Sequence, residues 1–110
     1  MYRQQYLSVN TNEQSKVAIR NQVGDVLNLR NPNITHLLVE NSTFSTIRLR
    51  NLPQLNRVLI RNTTFSDIEV DNCIELEDLA FYQDTFSDVK IRRCLNFKRL
   101  FLINSVLSDL

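Results

Sequence analysis

Three sets of residues in this 110-residue chain carry side chains that could do chemistry. Asp67, Asp88 and Asp109 each follow a serine at a constant spacing of 21 residues. Paired carboxylates are what glycoside hydrolysis needs for its acid and its base or nucleophile. Cys73 and Cys94 are also 21 apart, and a thiol nucleophile would need the only histidine, His36, as its base. Asn33-Ile34-Thr35, Asn41-Ser42-Thr43 and Asn62-Thr63-Thr64 are glycosylation acceptor triplets. Each set has a plainer reading. An active site is an asymmetric constellation, whereas the aspartates return once per period, as turn residues do. His36 shares the phase of Arg57 and Asp78, not that of the cysteines, so no Cys–His dyad follows. With this many Asn, Ser and Thr, chance alone gives about two acceptor triplets. They leave an extracellular location open without establishing it.

The elements that must position these residues come from the period itself. Phe44, Phe65, Phe86 and Leu107 are spaced by 21, and each opens a similar phrase: FSTI, FSDI, FSDV and LSDL. Apolar residues alternate as strands do in two places per period. One is Val58/Ile60, Leu79/Phe81 and Leu100/Leu102; the other is Ile47/Leu49, Ile68/Val70 and Val89/Ile91. Between them, Leu52/Leu55, Cys73/Leu76 and Cys94/Phe97 step by three, which suggests a tight turn and not a helix. The pattern predicts a parallel β-solenoid with two short strands per coil. One coil cannot bury its own apolar side, and stacked coils can. Hairpins are disfavoured because the chain has no Asn-Gly or Asp-Gly.

Composition excludes several classes. A single glycine leaves no Gly-rich phosphate loop, and one histidine leaves no Cys/His metal cluster. A net charge of +1 argues against nucleic acid as a partner. No stretch approaches the ~20 apolar residues that membrane insertion requires. The opening MYRQQYLSVN has no apolar core and does not read as a signal peptide. The thirteen asparagines, with Asp, Ser and Thr, are expected to turn the chain where glycine is missing.

At these residues the sequence resembles the leucine-rich repeat family. Leu55-x-x-Val58-x-Ile60-x-x-Thr63-x-Phe65 is similar to LxxLxLxxNxL, and Phe65-x-x-Ile68-x-Val70-x-x-Cys73-x-x-Leu76 to LxxLxLxxCxxL. The double phrase returns through Leu76, Leu79, Phe81, Asp84, Phe86, Val89, Ile91, Cys94 and Phe97. Thr63, Asp84 and Ser105 stand in the asparagine place. The resemblance implies a right-handed stack of coils and a role in binding other proteins.

The expected organisation is a capping coil over 1–22 and repeats over 23–43, 44–64, 65–85, 86–106 and a partial 107–110. In the capping coil Leu7/Val9 and Val17/Ile19 carry the pattern, and Gln14 makes it more polar. Val23 is placed 21 before Phe44, Leu27/Leu29 only 20 before Ile47/Leu49. A residue is therefore expected to be gained near Gly24, as a bulge, and one lost between Leu29 and Ile34. Charges alternate by coil: 44–64 carries only bases, 65–85 only acids, 86–106 mostly bases. The expected ion-pair columns are Arg48/Glu69/Lys90, Arg50/Asp71/Arg92 and Arg57/Asp78/Arg99. Cys73 and Cys94 should stack as a buried thiol column, with a disulfide as the other option.

The function expected is non-enzymatic recognition of another protein, with no cofactor and no metal. The candidate contacts are the outward residues of one strand face: Arg57, Leu59 and Arg61, then Asp78, Ala80 and Tyr82, then Arg99, Phe101 and Ile103. The alternative is a structural role in which an open C-terminal coil stacks on another copy, as a homo-oligomer, or continues into a longer solenoid.

Overall fold

The computed structural model describes residues 15–107. In chain order its strands are β1 (Lys16–Arg20), β2 (Val26–Leu29), β3 (His36–Glu40), β4 (Thr46–Arg50), β5 (Arg57–Arg61) and β6 (Asp67–Asp71). They continue as β7 (Asp78–Tyr82), β8 (Thr85–Phe86), β9 (Asp88–Arg92), β10 (Arg99–Ile103) and β11 (Val106–Leu107). One parallel sheet has the order β1-β3-β5-β7-β10 and a second the order β2-β4-β6-β9. Among the described residues there is no helix. The chain is a mainly β solenoid of about four turns, with residues 21 apart directly paired, as Leu59 is with Ala80 and Ile68 with Val89. A third, narrower ladder was not anticipated. It runs Val23, Thr43, Thr64, Thr85, Val106, because the short extended link between the two sheets also meets its counterpart in the next coil.

Alternation does what the period demands. In β5 the residues Val58 and Ile60 point inward and are buried, while Arg57, Leu59 and Arg61 are exposed. Between the sheets, the turn Leu52–Leu55 closes with the Leu55 N–H donating to the Leu52 carbonyl at 3.3 Å. Leu76 and Phe97 repeat that bond to Cys73 and Cys94. Pro32 and Pro53 occupy the second place of two such turns, where a fixed φ near −65° fits. Phe65 and Phe86 stack with centroids 4.8 Å apart and planes 6° from parallel, and Phe81 tilts against both. Such pairs contribute about 0.5–1.5 kcal/mol beyond the area they bury.

The corners explain the missing glycines. Every residue that follows a first-sheet strand has positive φ: Asn21, Asn41, Asn62, Gln83 and Asn104. After three second-sheet strands, Asn51, Asn72 and Arg93 do the same. The left-handed region is costly for residues with a Cβ, and asparagine tolerates it best after glycine. Two of the acceptor triplets, at Asn41 and Asn62, therefore begin on corner residues.

The N-terminal register differs from the expectation. Val23 pairs with Thr43, not with Phe44, and Lys16 with His36 and Leu27 with Ile47 share the same offset of 20. No residue is gained and no bulge forms at Gly24. Gly24 is buried in the register place of Phe44, its N–H donating to the Thr43 carbonyl at 3.0 Å, so the aromatic column ends there. Val23 faces out and is 48% exposed. The one-residue loss between Leu29 and Ile34 is present: Arg30 alone spans what Arg50 and Asn51 span one coil later, and the positive-φ corner is the residue omitted. Of the capping-coil residues, Val17 and Ile19 are buried. Leu7, Val9, Gln14 and residues 108–110 of the partial repeat, Asp109 among them, lie outside the described residues.

A polar ladder crosses the core at positions 42, 63, 84 and 105. The hydroxyls of Ser42 and Ser105 accept the backbone N–H of Gln22 and Asp84, each at 3.1 Å, and donate to the carbonyls of Glu40 and Ile103. Asp84 accepts the N–H of Thr63 at 2.9 Å and of Tyr82 at 3.1 Å. These bonds satisfy backbone donors at a corner too tight for the sheet to reach.

Candidate functional site

The outer face of the first sheet brings the candidate contacts together. Arg57, Leu59 and Arg61 register with Asp78, Ala80 and Tyr82, and those with Arg99, Phe101 and Ile103. All nine side chains belong to outward positions of β5, β7 and β10. Leu59 and Phe101 are 36% and 42% exposed. Upstream the middle column continues through Leu38 and Ala18, giving an unbroken apolar row Ala18, Leu38, Leu59, Ala80, Phe101. This row floors a shallow groove of about 530 Å³ whose wall includes Lys16, His36, Arg57 and Asp78. Sequence reasoning stopped at Leu59. Leu38, in phase 21 residues earlier, was readable; Ala18 was hidden by the 20-residue register of the first coil.

Charged columns border the row. On one side stand Lys16, His36, Arg57, Asp78 and Arg99, and on the other Arg20, Glu40, Arg61, Tyr82 and Ile103. Each carboxylate lies between two arginines. Asp78 meets Arg99 at 2.6 Å and Arg57 at 3.3 Å. Glu40 meets Arg20 at 2.7 Å and Arg61 at 3.6 Å. Donating to the Asp78 carboxylate pushes the already basic Arg99 guanidinium higher still. The column Arg57/Asp78/Arg99 thus pairs as the sequence implied.

The other two columns shift by one place. Glu69 pairs with Arg50, not with Arg48, whose Nε is buried without a partner. Asp71 takes a two-pronged bond from Arg93, both contacts 2.8 Å, in place of Arg50 or Arg92. That bond holds the Asp71 carboxyl below the usual range. A guanidinium on a long stem reaches a diagonal carboxylate as readily as the one opposite, so register alone does not select the partner.

Asp67 and Asp88 open β6 and β9 in direct register, and Asp67 accepts the Thr46 hydroxyl at 2.8 Å. Cys73 and Cys94 are free thiols. Cys73 is fully buried, and burial pushes its thiol up to about 11. Its Sγ points to the carbonyl of Leu49 at 3.4 Å. His36 Nδ1 contacts the Thr35 hydroxyl at 2.9 Å, on the groove wall and away from both cysteines. Among the described residues no cluster of three or more His, Cys, Asp or Glu is arranged to hold a metal, and no helix is long and apolar enough to cross a membrane.

Comparison with family models, curated proteins and solved structures found no match to this chain.

Proposed function

We propose that this protein is a recognition module of leucine-rich-repeat type that binds another protein through the outer face of its first sheet. The observation that carries the reading is the apolar row Ala18, Leu38, Leu59, Ala80, Phe101, set on rigid strands and open to solvent between charged borders. Its five in-line apolar side chains form one contiguous strip, whereas exposed apolar residues on a monomer are normally scattered. The family assignment is supported by the two half-motifs per period and by hydrogen-bonding side chains at 42, 63, 84 and 105, where the resemblance expects asparagine.

A second reading, coil-on-coil stacking against another copy or a further coil, has its own support. Leu100 and Leu102 continue the buried columns of Leu79 and Phe81 but are 46% and 44% exposed in the last described sheet strand.

Selecting binders from a random peptide library tests the first reading. Binding of the selected peptides is expected to fall on Leu59→Asp and to survive Thr64→Asp on the third ladder. Peptides indifferent to Leu59→Asp would remove the face from consideration. Light scattering showing a dimer that proline in β10 dissociates would favour stacking instead.

A further inference from the structure

The row and its borders are specific enough to describe what lies on them. We infer that the first-sheet face receives an amphipathic helix with acidic flanks, lying along the solenoid axis across the five strands. This rests on the reading of that face as the docking surface.

Spacing selects a helix. Five rows at the inter-strand distance of about 4.8 Å span about 19 Å from Ala18 to Phe101. The apolar stripe of a helix recurs on average every 3.5 residues, about 5.3 Å of rise, so five of its positions span about 21 Å. An extended peptide presents same-face residues every ~6.8 Å, and five would span about 27 Å. The helix stays within half a row of the floor along its length, whereas the extended peptide drifts by more than one. About 14 residues of helix suffice.

Charge selects the flanks. The two border columns hold five fixed cations, Lys16, Arg20, Arg57, Arg61 and Arg99, against two carboxylates, Glu40 and Asp78. Subtracting two from five leaves a surplus of three on this face, although the whole chain carries only +1. Both carboxylates are already held between arginines, so what the borders still offer an incoming surface is positive. Glutamates beside the apolar stripe of a helix would meet these guanidiniums, and lysines there would be repelled.

The test uses three fluorescein-labelled 16-residue peptides and the full chain, by fluorescence anisotropy. The first has leucines at three- and four-residue steps flanked by glutamates. In the second lysines replace the glutamates. In the third two central prolines break the helix. The acidic helix should bind at least about tenfold more tightly than either control, weaken with salt, and lose about tenfold on Leu59→Asp. Phe101→Asp, in another coil, should act alike, and both variants should still unfold in one cooperative transition because both side chains point away from the core. Equal binding by a control peptide that Leu59→Asp and Phe101→Asp still abolish overturns the acidic helix and leaves the face as the docking surface. Indifference of all three peptides to both substitutions overturns the face as well. A dimer that either substitution splits identifies the occupant as a second copy and also overturns the inference.

Discussion

Asp84 stands where neighbouring coils carry Ser42, Thr63 and Ser105, and it is almost wholly buried. Burial raises its carboxyl from 3.8 to about 7, and the N–H groups of Thr63 and Tyr82 offset only part of that. An acid whose folded value lies above its unfolded value favours the folded state most at low pH. Stability is fully present below about 4 and is lost as pH rises through about 7, by up to about 1.4 kcal/mol per pH unit. Asp71 has the opposite sign: its lowered value means its contribution is lost only as pH falls through the carboxylate range. Between pH 4 and 7 Asp84 should therefore set the slope. In Asp84→Ser the hydroxyl can accept the Thr63 N–H and donate to the Tyr82 carbonyl, as Ser105 does one coil on. Denaturant midpoints measured from pH 4 to 7 are expected to fall in the wild type and to stay flat in Asp84→Ser. Parallel slopes in the two proteins would show that Asp84 remains ionised in the core.

Strands β4, β6 and β9 form a sheet whose outer face is basic, acidic and basic in turn, and the same order crosses β5, β7 and β10. Exposed pairs contribute about 0.2–1 kcal/mol each, so their main effect is to make a slipped register repulsive. Reversing Glu69, Asp71 and Asp78 together to lysine would set like charges across two interfaces at once. The thermal midpoint of that variant should drop, and more at 10 mM salt than at 500 mM, where the screening length is about sevenfold shorter. A midpoint unchanged at low salt would contradict pairing as a source of register. Strand positions, tight turns and register were legible at this scale because a period of 21 repeats the same residue pattern three times over. Which arginine pairs with which carboxylate was not, since stem length and sheet geometry decide between the opposite and the diagonal partner. The first coil was misread for a related reason. Val23 and Phe44 are both apolar, and hydrophobicity could not reveal that Gly24, with no side chain, fills the aromatic place.

As a whole the molecule is a stack whose inside is fixed by repetition and whose outside is free to vary. Most inward columns keep Leu, Ile, Val and Phe from coil to coil, and the described positive-φ corners keep asparagine with two exceptions, Gln83 and Arg93. Repetition therefore disclosed the scaffold. The outward face carries its information in what does not repeat: an apolar row of unequal side chains and a local excess of positive charge. The candidate contacts on β5, β7 and β10 could be picked out by phase, but the row they belong to extends to Ala18 through a coil one residue shorter. Protein recognition through this face is the central claim, and methyl NMR of the chain with a library-selected peptide tests it most directly. The account predicts that the methyl signals of Ala18, Leu38, Leu59 and Ala80 move on titration while those of Leu95, Leu100, Leu102 and Val106 stay in place. Shifts confined to the latter group would contradict it and point to stacking at the last coil.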